Sequence, residues 1–466
     1  MMLTSVLCML VLARPQVGQI QLSPGTNKIL AQMKVKYDPD NGYFDYIQAA
    51  MVLQEKKYWL YELAMTPNGL SGYLETTSKN AEGEEEAQQK AEIREFAKLI
   101  GTKRPLEVKR MAMHEFRAVF PLVEAARKKA VRDPRDPATL DQDTLFPEYS
   151  YFRTIAKFLT LVAVDVDQAD GRPIIATNHI VDCFRISEAL TTSPTLIAAL
   201  VGRTVHAVAL ASIERNLARL TLPECEALDR YAGWFLSQES ALGKSVRADS
   251  RWILTFVDKL FQLDPKTIDP KNGMVPESLL TAIQKVPVTA RPGYAAKVKA
   301  KLEAQVKEVV DLLAKDERAW VAYLDQKELP RPGDAGQERF LDANHDAPLE
   351  DRVVDTIGGS YEMVVQPLFM QQTQMRLLRV CCAVIQFKWM NGVYPASLKQ
   401  AGPAEMMTDR VTGQPYRYRI TGSDFEVIAQ GSKSLGDIKL RWRKAATESG
   451  TPPPAPGLTA SSSRPS

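Results

Sequence analysis

Histidine and cysteine are scarce in this chain, four and five among 466 residues. A zinc or other transition-metal centre draws most of its ligands from those two residue types, so such a centre would be demanding here. An excess of either charge is missing too: 59 Lys plus Arg stand against 56 Asp plus Glu, a formal net charge of +3. No overall field favours nucleic acid, anionic lipid or an acidic substrate, and any such partner would have to be held locally. Past the N-terminus no stretch looks transmembrane, which would take about 20 apolar residues. Cysteine is also too sparse for a small domain stapled by disulfides. Cys381 and Cys382 are adjacent on an expected helix, so their side chains diverge. Buried free thiols are the expectation, with a Cys183–Cys225 bridge left open.

The familiar catalytic motifs are missing as well. Gly243-Lys244-Ser245 has Gln238 where a phosphate-cradling loop needs its first glycine. The string from Asp165 to Gly171 looks like a calcium loop, but Ala169 and Asp170 fall on ligand and glycine positions, and Ala176 stands where a bidentate Glu belongs. A turn between helices explains it better. His114-Glu115 lacks the second histidine of a zinc-protease pair, and no Gly-x-Ser-x-Gly elbow occurs.

Nearly half of the residues are hydrophobic, enough for sizeable cores. The chain opens Met1-Met2-Leu3-Thr4-Ser5-Val6-Leu7-Cys8-Met9-Leu10-Val11-Leu12-Ala13 before Arg14. This run has the length of a signal-peptide core and is too short to span a bilayer. Residues 1–13 are therefore expected to direct export to the periplasm or the extracellular space.

Helical spacing dominates the chain beyond residue 40. Helices are expected through Phe44–Leu63, after the acidic Glu82–Glu86 run, from Val108 to Ala130, and as a pair, Tyr151–Val166 and Ile174–Leu190, about a Gly-Pro turn. A long helix opened by Pro194 is apolar nearly all round and should be central. Further expectations are one amphipathic helix over Ala296–Leu324 and helices Leu349–Phe369 and Gln371–Met390, kinked near Pro367. Tyr416, Tyr418 and Ile420 then alternate with arginines, and Phe425, Val427 and Ala429 come after a Gly-containing turn, the pattern of a β-hairpin. The Pro- and Ser-rich end cannot bury a core. The fold class is mainly α, a multi-helix bundle or αα-hairpin array with a small C-terminal α+β module. Residues 14–330 form a helical domain, 331–445 further helices with the hairpin module, and 446–466 a disordered tail.

Candidate site residues are few. Arg203, His206 and Glu214 lie towards one side of the central helix, where buried ionisable groups can acquire pKa values suited to acid/base work. An interhelical ion pair with a satisfied core histidine accounts for the same residues. His179 and Cys183, four apart with Asp182 nearby, are a weak metal pair against an ordinary helix face. The Arg417–Arg419 and Arg441–Arg443 clusters mix cations with aromatics as nucleic-acid clamps do, but hairpin alternation produces the same pattern. No cofactor, metal or nucleic acid is expected.

One cassette has an order of its own. Tyr394, Pro395 and Leu398 come directly after a helix, and Asp409, Gly413, Pro415, Tyr416 and Tyr418 come next. This region resembles the C-terminal part of the major pseudopilins of type II secretion, where a Tyr-Pro-x-x-Leu turn leads to an Asp-Gly-Pro-Tyr-x-Tyr phrase and a hairpin. The resemblance covers about 70 residues. It implies that Pro395 stops the helix, that Gly413 permits a tight turn, and that the tyrosines pack the hairpin onto the helix. The prepilin cleavage site and its long apolar helix are not found from Met1 onward, so pilus assembly is not implied. The loop that holds calcium in pseudopilins here runs from Gly431 to Asp437 with Asp437 its one carboxylate, so calcium is not expected. Together with Asn41-Gly42-Tyr43-Phe44-Asp45-Tyr46-Ile47, the module also resembles a group of bacterial envelope proteins, a likeness that carries no activity.

The preferred expectation is a non-enzymatic exported protein with structural or protein-binding roles, its partners envelope or secretion-related proteins. The alternatives are an extracytoplasmic hydrolase using His206 and Glu214, and a helical protein that binds a small ligand or peptide.

Overall fold

Prolines, capping side chains and buried aromatic residues set where the helices of this chain begin and end. The computed structural model describes residues 22–55, 58–65, 105–136, 146–193, 195–216, 220–237, 242–262, 277–327, 347–422, 424–431, 433 and 436–442. The expected signal peptide, the acidic run at Glu82–Glu86, Gln238 and the C-terminal tail lie outside the described residues.

The fold is mainly α with a three-stranded antiparallel sheet near the C-terminus. Its helices are α1 Pro24–Met33, α2 Gly42–Glu55, α3 Tyr58–Met65, α4 Pro105–Glu115, α5 Val119–Arg127, α6 Glu148–Phe158, α7 Val164–Ala169, α8 Pro173–Thr191 and α9 Leu196–Asn216. Beyond them lie α10 Leu222–Ser237, α11 Leu242–Gln262, α12 Glu277–Gln284, α13 Arg291–Leu313, α14 Glu317–Lys327 and α15 Leu349–Asn391. The strands are β1 Arg417–Thr421, β2 Asp424–Ala429 and β3 Ile438–Trp442, paired in the order β1-β2-β3.

Caps explain several of these starts. Ser23 accepts from Thr26 N at 3.1 Å and Pro24 opens α1. Glu224 closes the start of α10 by accepting from Thr221 N at 2.6 Å.

Four sequence expectations are corrected. The helix expected over Val108–Ala130 is two, because Pro121 in the first turn of α5 cannot continue a preceding helix. The intervening turn puts both Phe116 and Val119 in the core. The helix expected over Ala296–Leu324 breaks at 314–316, where Asp316 accepts from Ala319 N at 3.1 Å and so caps α14. In the other direction, α15 runs as one helix past Pro367, where an interruption or kink was expected, so the interruption is not formed. The buried flank of Val365, Leu368 and Phe369 offsets the lost backbone hydrogen bond. Finally, α15 is stopped by Gly392, in the left-handed region at φ 75° and donating to Lys388 O at 2.8 Å, three residues before Pro395.

A π-turn at Leu159–Ala163 joins α6 to α7. The Thr160 carbonyl there accepts from Ser212 Oγ at 3.2 Å and Arg215 Nη2 at 3.0 Å, both on α9, so the irregular turn is tied to the central helix.

Packing is continuous from end to end of the described residues. α2 lies on α5 and α6, α8 pairs with α9, α11 pairs with α13, and α15 packs on α9, α10, α12, α13, α14 and the sheet. The core therefore crosses position 330 without a break, α13 from one side of it resting on α15 from the other. By length and composition α9 would suffice to cross a membrane; its contacts with α6, α8 and α15 bury much of its apolar surface, while Ile197 and Leu200 stay exposed. Cys183, Cys225, Cys381 and Cys382 are all free and buried, so the open Cys183–Cys225 bridge is not formed.

Helices α8 and α9 meet closely at a glycine. A Cβ on Gly202 of α9 would stand 2.6 Å from Ser187 O and 2.9 Å from Thr191 Oγ1 of α8. Gly202→Ala is therefore expected to destabilise the protein by about 1–3 kcal/mol, because backbone must move to admit the methyl. Gly293→Ala, at an exposed helical position with open space around it, is expected to stabilise it by ~0.5 kcal/mol. Urea denaturation of both variants checks the pair of signs.

Candidate functional site

The central helix places His206 inside the core and not in a cleft. The ring is 2% exposed, flanked by Phe184 and Phe235, with centroid distances of 4.9 and 6.1 Å. Gln371 Nε2 of α15 donates to its Nδ1 at 3.1 Å, which leaves the ring proton on Nε2, a buried atom with no hydrogen-bond partner. Burial, with the nearby Arg203 charge, pushes the imidazole down to about 3. A base held that far down does not accept a proton near neutral pH.

The two companions do not converge with it. Arg203 is half-buried and reaches the Met370 sulfur at 3.2 Å, and burial lowers its pKa to about 10. Glu214, two turns further on, is exposed, and its charge is felt at Cys381. Arg203, His206 and Glu214 are therefore not seen as an acid/base set: His206 is held by Gln371, Arg203 reaches the Met370 sulfur, and Glu214 is exposed.

His179 and Cys183 also part company. His179 Nε2 meets Asp167 Oδ2 at 3.1 Å, and Arg172 Nη2 lies 2.8 Å from the other oxygen. Cys183 donates to Ala156 O at 3.6 Å, and burial holds its thiol well above the usual range. Asp182 is taken by Arg127 in a two-point contact of 3.0 and 2.6 Å. No group of metal-ligating side chains occurs among the described residues.

A second buried charge cluster was not visible in the sequence. Arg135 faces Asp133 at 2.7 Å and also Glu148, while Tyr43 donates to Glu148 at 3.0 Å and Ser193 to Asp133 at 2.5 Å. One guanidinium serves two buried carboxylates. Burial outweighs the share of Arg135 that Glu148 receives, Asp133 adds to the rise, and the Glu148 carboxyl is pushed up to about 7. Tyr43 and Ser193 join the cluster from distant helices, so spacing alone gave no signal.

The C-terminal module is organised by Asp409. Its carboxylate accepts from Val411 N at 2.9 Å and from Gln430 N at 2.8 Å, pinning the turn to the end of β2. Gly413 sits at φ 69°, and a Cβ there would meet Arg318 at 3.0 Å. Tyr416 is buried, and Tyr394 and Tyr418 flank Phe425 at 5.4 and 6.1 Å. These are packing roles. Asp437 pairs with Arg417, so the single carboxylate of its loop is engaged.

An open cleft of about 430 Å³ lies between α10 and this module. Arg376 and Arg379 of α15 and Arg410 of the loop before β1 line it, together with Leu236, Met406 and Tyr416. Arg379 Nε donates to Asp229 at 2.8 Å, and its guanidinium lies beside Gly233. Arg376 meets Glu317, donates to Gln372 at 3.1 Å and keeps its Nε buried without a partner. Burial lowers the Arg376 pKa despite Glu317. Arg410, 65% exposed, stands 3.9 Å from the same Glu317. No histidine or cysteine is among the described residues that line the cleft. The charged groups of its lining are three guanidiniums and the Glu405 carboxylate, an excess of positive charge. These arginines are missing from the candidates that the sequence suggested, although Arg376 and Arg379 at a spacing of three on an otherwise apolar stretch were a signal.

No family model matches the chain, and no curated protein and no solved structure matches it.

The two perturbed groups predict opposite pH slopes. His206 has a folded pKa below its ordinary 6.5, so its contribution is whole above that pH and is lost as the pH falls towards 3. Glu148 is raised from 4.5 to about 7, so its contribution is whole below 4.5 and is lost as the pH rises through 7. Urea midpoints measured between about pH 4 and 8 should show His206→Gln flattening the acid-side fall and Glu148→Gln flattening the fall towards neutral pH. Unchanged slopes in both variants would contradict these assignments.

Proposed function

We propose that this is an exported, non-enzymatic protein that binds other proteins, with envelope or secretion-related proteins as its partners. Supporting this reading is one observation above all: the open cleft between helical body and C-terminal module offers cationic forks and apolar walls, with no histidine or cysteine among its described lining residues. Proton transfer near neutral pH finds no base in His206, which is sealed between aromatic rings and already committed to Gln371. The hydrolase alternative, which needs His206 and Glu214 to converge, is disfavoured by their separation.

Export rests on the apolar run from Met1 to Ala13. The C-terminal module keeps the pseudopilin-like arrangement of helix, glycine turn and hairpin, while Asp437 is spent on Arg417 and is a poor start for a calcium site. The module is accordingly read as a pseudopilin-like scaffold without the pilus role. No membrane span is invoked, since α9 is packed among its neighbours.

A reporter enzyme that is active only outside the cytoplasm, fused after Leu30, tests the first half of this reading. Activity in the periplasmic or extracellular fraction is expected. Reporter protein retained in the cytoplasm overturns the proposal.

A further inference from the structure

We infer that the cleft between α10 and the C-terminal module captures the carboxylates of an acidic peptide segment on a partner protein, an inference that rests on the protein-binding reading above. The three arginines present more N–H donors than their acidic neighbours use. Arg379, which lines the cleft, is held to Asp229 through Nε at 2.8 Å, and its guanidinium has further N–H donors. Glu317 is shared between Arg376 and the distant edge of Arg410. Arg376 lines the cleft as well, and its buried Nε has no hydrogen-bond partner.

The cleft is not purely ionic, and that decides between ligands. Leu236 of α10 and Pro403 and Met406 of the module also line it. A bare phosphate gains nothing from such a wall. A peptide that alternates carboxylates with apolar side chains uses both, the carboxylates meeting planar guanidinium forks and the apolar groups covering Leu236 and Met406. The volume, about 430 Å³, suits a few side chains at a time. Exposed Glu405 at the rim opposes an anion and sets a limit on affinity.

The probe is a fluorescein-labelled decapeptide of alternating Glu and Leu, titrated against the full chain at low and high salt, with the matching Lys-Leu peptide as control. Saturable binding of the acidic peptide alone, weakened by salt, is expected. Arg379→Ala and Arg410→Ala should each weaken it about tenfold, and Glu405→Gln should tighten it. Lys307→Ala, on an exposed face of α13, should leave it unchanged. Arg410→Ala carries the test if Arg379→Ala unfolds the chain, because Arg410 is mostly exposed. Succinate and inorganic phosphate, added as competitors, separate sources: displacement by either at concentrations near those of the peptide assigns the cleft to a small anion and overturns the peptide proposal. Equal binding by the Lys-Leu peptide, or binding indifferent to Arg379 and Arg410, overturns it as well. Export plays no part in this measurement, so a cytoplasmic reporter would sink the wider reading while leaving the cleft result to stand alone.

Discussion

The unbroken course of α15 is the constraint on which the rest of the structure depends. Its 43 residues carry successive neighbours along one rod: Val365 and Phe369 in the body, Gln371 against His206, Arg376 and Arg379 at the cleft, and Cys381 and Cys382 in the buried stretch near the sheet. A rigid helix fixes the spacing of all of these at about 1.5 Å per residue. The separation between the sealed histidine and the open arginines is thus built into a single element. A break at Pro367 would free the whole stretch from Gln371 to Cys382 from the preceding turns of α15, and the helix continues through that residue with Val365, Leu368 and Phe369 buried about it.

Polar groups that the core cannot avoid are handled by sharing. Arg135 serves Asp133 and Glu148, Asp167 serves His179 and Arg172, and Glu224 accepts from Thr177, Gln168 and Thr221 N together. Such clusters contribute little net stability relative to apolar packing, yet breaking one partner leaves an uncompensated charge. They therefore fix which helices meet more than they add to the depth of the fold. Two of them join segments distant in sequence, Tyr43 to Glu148 and Thr177 to Glu224, while that of Asp167 ties neighbouring helices.

Much of the architecture was legible because helical periodicity and the β alternation are local signals. The apolar faces of α9 and α13, the turn at Asp170-Gly171 and the hairpin of Tyr416–Ala429 result from residue order. Helix ends were less legible: Asp316 caps a new helix inside a span expected to be continuous, and Gly392, as a left-handed terminus, ends α15 ahead of the Pro395 to which the stop was assigned. The candidate site was hardest to read, for a physical reason. Helical spacing put Arg203, His206 and Glu214 roughly on one side, but the side chains' fates are decided by what packs there, and Gln371 and Met370 lie more than 160 positions away from the residues they meet.

Arginine on the two faces of this core shows where binding is placed. Arg203, half-buried against a sulfur, suffers the cost of burial and is not among the residues that line the cleft. Burial lowers the Arg376 pKa as well, but its side chain is among those that line the cleft, and its Nε has no hydrogen-bond partner. Leucine or methionine at 376 and 379 would pack α15 on α10 with less desolvation, and the helix would still serve as the spine. An acidic partner seated in the cleft, as proposed above, would set its carboxylates against these guanidiniums at the seam between body and module.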